Sequence, residues 1–203
     1  MACDRFLLRK IKGLHFSKSL GCGKGTTFTP MDADILRWGV LVCIEAESES
    51  KFDNSKLVNR WRRISESEFR VVLKPLGSHG KWSGQQPFDI STNSTNGVSS
   101  DGHVAAITRA RVSFNKYPHF LRSLPAVVKD LHAAPGLLGA IGIGEAPIGL
   151  QGTFSMWESS QALQNFAFKG AAHSQAITDT KKFDWYSEEL FARFSVQEIR
   201  GSL

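Results

Sequence analysis

Several features that define whole protein classes are absent from this 203-residue sequence. No apolar run approaches the roughly 20 residues that cross a bilayer as a helix, so we expect no transmembrane segment. The three cysteines are too few, and odd in number, for a disulfide framework, and their spacing does not match a metal site. The start of the chain lacks the apolar stretch and cleavage site of a secretory signal. These absences predict a protein of the reducing cytoplasm.

Common catalytic and nucleotide-binding motifs are missing as well. The sequence has no G-x-S-x-G nucleophile elbow, and no two histidines lie four residues apart as a zinc site on one helix face requires. Gly21–Thr26 resembles a phosphate-binding loop, but Lys24 is followed by Gly25, where that loop needs serine or threonine. Arg109 and Arg111 share a predicted strand without the alternating aromatics of a nucleic-acid platform, so we expect no nucleic-acid partner.

The charge of the chain is basic, and part of the excess is local. Lys and Arg total 25 against 19 for Asp and Glu, a net charge of +6, which permits an acidic partner without naming one. Apolar residues recur at near-helical spacing over Arg5–Phe16, with basic residues between them, and predict a short amphipathic helix. Such a helix either meets an anionic surface, at the periphery of the inner membrane, or packs on its own domain.

After this helix, the first half of the chain predicts a β-α-β pattern. The apolar, β-branched run Trp38–Ala46 predicts a buried strand, and Asp53–Ile64 has the apolar face of a helix. Phe69–Leu76 predicts a second strand that stops near Pro75. Residues 83–102 are rich in Ser, Gly, Asn and Gln, which predicts a long polar loop and a boundary between two halves.

The second half predicts a complete β-α-β-β-α-β pattern, the order of a ferredoxin-like unit. Its elements are a strand over His103–Val112, a helix over Lys116–His132, strands over Leu137–Gly144 and Leu150–Trp157, a helix over Ser159–Thr178 and a strand over Leu190–Ile199. The expected organisation is an N-terminal half, residues 1–102, with the basic helix, a partial repeat and the polar loop, and a C-terminal ferredoxin-like half, residues 103–203. Two such sheets packed face to face predict an α+β barrel within one chain.

One histidine of the last predicted helix has an unusual setting. A single helix face carries the residues Leu163, Phe166, Gly170, His173 and Ile177. The small residues just before His173 leave a flat gap beside its imidazole. A neutral imidazole with room for a broad apolar ring is what a proximal haem ligand requires. The alternative is a hydrogen-bonded core histidine, which is the usual state of a buried polar group, and the residues alone leave both open.

Six short stretches, in order along almost the whole chain from residue 20, carry a resemblance to a known family. They are Gly23–Pro30 (GKGTTFTP), Gly80–Phe88 (GKWSGQQPF), Ala106–Ala110 (AITRA), Ile141–Pro147 (IGIGEAP), Gln151–Trp157 (QGTFSMW) and Trp185–Phe194 (WYSEELFARF). No single stretch is specific. Together they resemble the spheroidene monooxygenase family of carotenoid ketolases.

The resemblance implies a haem-dependent monooxygenase that oxidises a methylene of an apolar substrate, a carotenoid, to a ketone by successive hydroxylations. It implies haem b as cofactor, O₂ and an external electron donor as co-reactants, and a ferredoxin-like fold of the dimeric α+β barrel type, with a homodimer as a further expectation. Two alternatives stay open. One is an enzyme that resembles the haem-dependent aldoxime dehydratases, and the other is a non-catalytic protein that binds haem or a lipophile.

Candidate site residues follow from the resemblance and the strand pattern. His173 lies where relatives of this fold carry the haem ligand, and it becomes the expected metal ligand. Arg109 and Arg111 point to one strand face, and Arg109 is expected to meet the haem propionates, with a surface ion pair as the alternative. Trp82 is expected to wall the pocket or to anchor a loop. The expected polar groups near bound oxygen are Gln151, Thr153 and Ser155, which alternate on one strand and could equally face solvent.

Overall fold

The fold is described from a computed structural model, which covers residues 4–88, 102–146, 148–169 and 186–203. The strands in these ranges are β1 (Leu14–Gly23), β2 (Ala33–Ile44), β3 (Arg70–Gly80), β4 (Val104–Val112), β5 (Leu137–Gly144), β6 (Leu150–Trp157) and β7 (Tyr186–Arg200). The α-helices are α1 (Asp4–Leu8), α2 (Ala46–Asp53), α3 (Lys56–Ile64), α4 (Tyr117–His132) and α5 (Ser160–Lys169). Short 3₁₀ turns lie at Pro30–Asp32 and Phe114–Lys116.

All seven strands form one antiparallel sheet in the order β2-β1-β5-β6-β4-β7-β3. The four strands of the second half occupy the centre in the order of a ferredoxin-like unit, with β4 and β6 innermost. The predicted α+β, ferredoxin-like fold class is therefore confirmed. The strands of the first half do not form a separate opposing sheet, because β1 pairs with β5 and β3 pairs with β7 and so satisfy the backbone groups of both edges. The division of the chain at residue 102 stays a prediction.

One face of the sheet, called here the inner face, carries the main apolar core. Its buried residues are Phe16, Leu20, Cys22, Trp82, Phe88, Ala105, Ile107, Ile143, Phe154, Met156, Leu190, Ala192 and Phe194. Partly buried side chains of β2 and β3 join the same cluster. A contact between distant strands shows that the sheet is curled. Phe16 of β1 packs edge-on against Trp82, which follows edge strand β3, with ring centroids 5.8 Å apart. Polar groups lie at one end of this inner face, around Arg109 of β4.

The helices cover the outer face of the sheet in two groups. α4 and α5 cover the central strands, where Trp157 is fully buried beside Leu131 and Leu163. α1, α2 and α3 cover β1 and β2, where Trp61 packs edge-on against Trp38 and Phe52. Among the described residues, no helix is long and apolar enough to cross a membrane.

The structure corrects the prediction for the N-terminal region. The predicted helix over Arg5–Phe16 ends at Leu8, and the chain enters β1 at Leu14. Phe16 and Leu20 both point to the inner core, as every second side chain of a strand does. Their spacing of four residues also fits one face of a helix, so the pattern alone does not separate the two structures. Pairing with β2 and β5 thus overrides a helical pattern that was only local.

Two further boundaries differ from their predictions. The helix predicted over Asp53–Ile64 begins at Lys56, because Ser55 caps it by accepting a hydrogen bond from the backbone N–H of Val58 at 3.2 Å. A separate helix that the sequence did not predict, α2, precedes it and ends at Asp53. β3 does not stop near Pro75, because the proline falls at a register irregularity of the ladder and the strand continues to Gly80. The part of the predicted last helix beyond residue 169 lies outside the described residues.

Candidate functional site

Four charged side chains and one tryptophan, from distant parts of the chain, meet at one end of the inner face. We call this group the Arg109 cluster, and it consists of Lys18, Trp82, Arg109, Glu145 and Glu188. Strand alternation places these groups, since Arg109 follows inward-facing Ile107 by two residues on β4. Four of the five residues lie in stretches that resemble the monooxygenase family. Four of the six stretches therefore meet at one location in the fold.

Arg109 is the centre of the cluster and is only 2% exposed. Its Nη2 donates to Glu145 Oε1 at 3.2 Å, and its Nη1 donates to Glu188 Oε1. The Trp82 ring lies beside the guanidinium, with 5.7 Å between Cζ and the ring centroid. A charge that is buried this completely requires countercharges, which the carboxylates of Glu145 and Glu188 supply. Among the described residues Arg109 Nε is buried and has no hydrogen-bond partner.

Glu188 is held by a tight turn as well as by Arg109. Its two carboxylate oxygens accept the backbone N–H groups of Ser83, at 2.9 Å, and Gly84, at 2.6 Å. Both turn residues have positive φ, 55° and 76°, and the turn is closed by a bond from Trp82 N–H to Gln85 O at 2.8 Å. Two successive residues with positive φ aim their N–H groups at one anion. The turn thereby binds the carboxylate of a strand that is distant in sequence.

Glu145 makes the remaining contacts of the cluster just after β5. Its Oε1 accepts from the Trp82 indole Nε1 at 2.7 Å, and its Oε2 accepts from Lys18 Nζ at 3.2 Å. Lys18 Nζ also donates to Ser83 Oγ at 2.5 Å. Two cations and two carboxylates balance, so the cluster has no formal net charge when all four are ionised. Its chemistry is that of a fixed framework that closes this end of the inner face.

Both carboxylates of the cluster stay ionised near neutral pH. Burial acts to raise the pKa of Glu145, but the Trp82 hydrogen bond, Lys18 and Arg109 outweigh it, and the pKa lies below its ordinary value of 4.5. Burial likewise opposes ionisation of Glu188, yet the N–H groups of Gly84 and Ser83, with Arg109, bring its pKa below 4.5.

The lowered pKa values predict a loss of stability in acid. A carboxyl whose pKa is lower when folded than when unfolded stabilises the protein above the unfolded value, and this contribution disappears as the pH falls through the folded value. We expect Glu188→Gln to be destabilised at neutral pH and to show a shallower decline below about pH 4.5 in urea unfolding. Glu189→Gln, at the exposed neighbouring position, is the control. An identical decline of the free energy of unfolding with falling pH in wild type, Glu188→Gln and Glu189→Gln would contradict this role of Glu188.

The structure places some of the predicted cofactor contacts and leaves the haem ligand outside the described residues. Trp82 and Arg109 lie together, but Trp82 is 0% exposed and both terminal nitrogens of Arg109 already donate to carboxylates. These two residues, as they are folded, do not fit the expected pocket wall and propionate contact. Arg111 is exposed. His173 lies outside the described residues, and its role as haem ligand stays a prediction.

The predicted polar groups of β6 lie on the other face of the sheet. Gln151 accepts a hydrogen bond from the Tyr117 hydroxyl of α4 at 3.0 Å, and Ser155 accepts one from Trp157 Nε1 at 3.0 Å. Thr153 alternates with them, whereas Phe154 points to the inner core. The three residues therefore face the helix layer and are separated from Arg109 by the sheet itself.

Sequence reasoning missed Lys18, Glu145 and Glu188. Both glutamates lie in family-like stretches, and Glu188 alternates with the apolar, inward-facing Leu190 and Ala192. A charge in phase with buried residues on a strand is the signal that points to a buried ion pair. It does not reveal the partner, which depends on strand order.

The close approach of two strands beside Arg109 predicts the effect of a single methyl group. A Cβ added at Gly152 would overlap the carbonyl oxygen of Thr108 and lie 3.0 Å from Arg109 Cα, both backbone atoms. Gly152→Ala is expected to lower the free energy of unfolding by about 2–3 kcal/mol, because neither atom can move without shifting β4. Gly139→Ala on neighbouring β5 is the control, since its Cβ would meet only the flexible end of Leu203. Equal losses in urea unfolding would contradict the described register.

The loop that resembles a phosphate-binding motif binds an anion of its own chain. The Asp32 carboxylate accepts the backbone N–H groups of Gly25 and Thr26, both at 3.0 Å, and of Phe28, at 3.2 Å. Burial acts to raise the pKa of Asp32, but these bonds and the Thr26 hydroxyl lower it below its usual value. The N–H groups of this turn are thus already used. Within the described ranges, no group of three His, Cys, Asp or Glu side chains could hold a metal ion.

The strand order defines the class of this chain, an α+β protein built on a ferredoxin-like sheet, and three named relatives identify its family. The spheroidene monooxygenase of Rhodobacter capsulatus is 31% identical over 191 residues, which cover 93% of this chain and 78% of the relative. That of Rubrivivax gelatinosus is 34% identical and covers 93% and 71%. That of Cereibacter sphaeroides is 30% identical over 199 residues, 97% of this chain, and the chain spans only 60% of its length.

These relatives establish the family, and this chain belongs to the spheroidene monooxygenase family. The expected resemblance, to an oxidoreductase family of monooxygenases, is confirmed. No protein-family model matches the chain. A solved structure from Fusobacterium nucleatum covers 100% of this chain and 87% of its own, with 14% identity and a TM-score of 0.47, a similarity too low to transfer function.

Proposed function

We propose that this chain is a monooxygenase that oxidises a methylene group of an apolar substrate, an acyclic carotenoid. The observation that carries the proposal is membership of the family, whose named relatives are spheroidene monooxygenases. In each hydroxylation one atom of O₂ enters a C–H bond and the other leaves as water, with two electrons and two protons supplied. A second hydroxylation at the same carbon followed by loss of water gives the ketone. The electrons come from an external donor.

The proposed cofactor is haem b, with His173 as the iron ligand. Support for it is the resemblance of the sequence and the small residues that precede His173. The described residues expected to contact the haem do not fit it, since both terminal nitrogens of Arg109 already donate to Glu145 and Glu188. We therefore assign no step to the cofactor, and we place the Arg109 cluster in the framework that closes one end of the inner face.

Family membership favours this function over both alternatives. No described residue specifically supports an aldoxime dehydratase or a non-catalytic haem or lipophile carrier. The protein is proposed to act in the cytoplasm. A homodimer is retained as an expectation without a described surface to support it.

Pigment conversion in cells tests the proposed function. The chain is expressed in a bacterial host that accumulates an acyclic carotenoid, and extracts are separated by chromatography with mass detection. We expect hydroxylated and ketone products that are absent from cells with an empty vector and from cells grown without oxygen. Unchanged pigment, with folded protein and a competent electron donor present, would contradict the carotenoid substrate.

A further inference from the structure

The N-terminal helix presents apolar side chains to the outside of the protein. Phe6 is 66% exposed and Leu7 is 43% exposed, whereas the next residue, Leu8, is 1% exposed. Leu8 packs with Phe52 and Trp61 in the core beneath α2 and α3. Leu8 thus anchors the end of α1 on the domain, whereas the two residues before it are exposed.

Asp4 fixes the same helix to α3. Its carboxylate accepts the Trp61 indole N–H at 2.8 Å and a hydrogen bond from the Arg60 guanidinium. Burial acts to raise the pKa of Asp4, but these two bonds outweigh it, and the pKa lies below its usual value. Asp4 and Leu8 therefore anchor α1 to the domain on either side of Phe6 and Leu7.

Exposed cations lie on the segments next to this apolar pair. The basic residues on the connection to β1 and on the outward face of α3 are Arg9, Lys10, Lys12, Lys56 and Arg63, and all are exposed. Arg60 of α3 is exposed as well but pairs with Asp4. The cations of α3 recur at helical spacing, and Arg60 itself touches α1. Residues 5–23 contain no Asp or Glu, so nothing within this stretch of sequence offsets its basic charge.

We propose that this surface, formed by Phe6, Leu7 and these five cations, binds an anionic membrane. Large apolar side chains in the headgroup region and basic residues on lipid phosphates are the two terms that hold a peripheral protein on a bilayer. The net charge of +6 acts in the same direction. A nucleic acid would use the cations but not the aliphatic Leu7. Binding would bring the enzyme to a substrate dissolved in the bilayer, and only that consequence rests on the proposed function.

This membrane-binding surface differs from the amphipathic helix that the sequence predicts. That helix would turn its whole apolar face to the lipid. In the structure, Leu8, Ile11 and Leu14 pack against the domain instead. The membrane contact is thereby reduced to two residues on a folded surface.

Vesicle co-sedimentation of the full chain tests the proposal. Wild-type protein is expected to bind phosphatidylcholine vesicles that contain phosphatidylglycerol, to bind pure phosphatidylcholine far less, and to be released by salt. Lys10→Gln/Lys12→Gln should weaken partitioning roughly thirtyfold, since each cation near the surface contributes on the order of a fivefold effect. Phe6→Ser/Leu7→Ser should weaken it roughly tenfold or more.

Matched control variants place equal changes elsewhere on the surface. Phe114→Ser/Leu138→Ser removes an exposed phenylalanine and an exposed leucine that lie outside α1, α2 and α3, and Lys74→Gln/Lys129→Gln removes two exposed cations. We expect both to bind within about twofold of wild type. Circular dichroism confirms that each variant is folded.

Several results would overturn the inference. These are no binding to anionic vesicles, equal binding to neutral ones, and a loss caused by the control variants but not by the test variants. Tighter binding to duplex DNA than to vesicles, unaffected by Phe6→Ser/Leu7→Ser, would assign the surface to nucleic acid. No outcome depends on turnover, so failure here is distinct from failure of the monooxygenase proposal.

Discussion

Replacement of Arg109 by leucine is expected to lower the free energy of unfolding by about 3–5 kcal/mol. The side chain is 2% exposed and carries the countercharge for Glu145 and Glu188. Leucine fills much of the volume but leaves two carboxylates half-buried without their shared cation. Urea unfolding near neutral pH, followed by tryptophan fluorescence and circular dichroism, measures the loss.

Control variants separate the ion pairs from the mere change of residue. Arg111→Leu, at the exposed position two residues along the same strand, should change stability by less than about 0.5 kcal/mol. Arg109→Lys should lie between wild type and Arg109→Leu, since one ammonium cannot serve both carboxylates in the same geometry. If Arg109→Leu and Arg111→Leu cost the same, the Arg109 cluster does not hold this end of the fold together.

His173→Ala is expected to abolish retention of haem, while the apoprotein keeps its fold. A haem protein without its axial ligand loses the bond that fixes the iron, and alanine is well tolerated where a helix is predicted. The measurement is the Soret absorption of protein purified after haem supplementation, together with circular dichroism of the same sample.

Other histidines provide the controls for this prediction. His103, His119 and His132 are all exposed in the structure, and each single change to alanine should leave the Soret band unchanged. An unchanged spectrum in His173→Ala would assign the iron to a different ligand. The absence of a Soret band in fully supplemented wild-type protein would contradict haem as the cofactor, independently of any substrate.

The sequence predicts those parts of the fold that local patterns determine. The alternation and length of Leu150–Trp157 predict β6 with its observed bounds, and the helix predicted over Lys116–His132 begins one residue later, at Tyr117. The strand from Leu14 was missed because its apolar residues also fit helical spacing over the first turns. Only pairing with β2 and β5 decides between the two, and that pairing lies far along the chain.

Prediction of the candidate site depends in the same way on distant contacts. Alternation on β4 predicts that Arg109 and Arg111 share a face, but not that one is buried and the other exposed. Glu145 and Glu188 are 36 and 79 residues away from Arg109. Their meeting depends on strand order and on register, which places Arg109 opposite Leu190 and Gly152. Family-like stretches marked the residues, and the three-dimensional sheet gave them partners.

Oxygen-isotope labelling tests the central claim, that this chain oxidises an apolar substrate with O₂, most directly. Purified protein is incubated with a detergent-solubilised acyclic carotenoid, haem, an electron-donor system and ¹⁸O₂, and the early hydroxylated product is analysed by mass spectrometry. We predict that the new oxygen carries the heavy isotope, and that the same reaction in H₂¹⁸O under ordinary O₂ gives unlabelled alcohol. An oxygen derived from water, or no oxygenated product although the electron donor is consumed, would contradict the proposed monooxygenase.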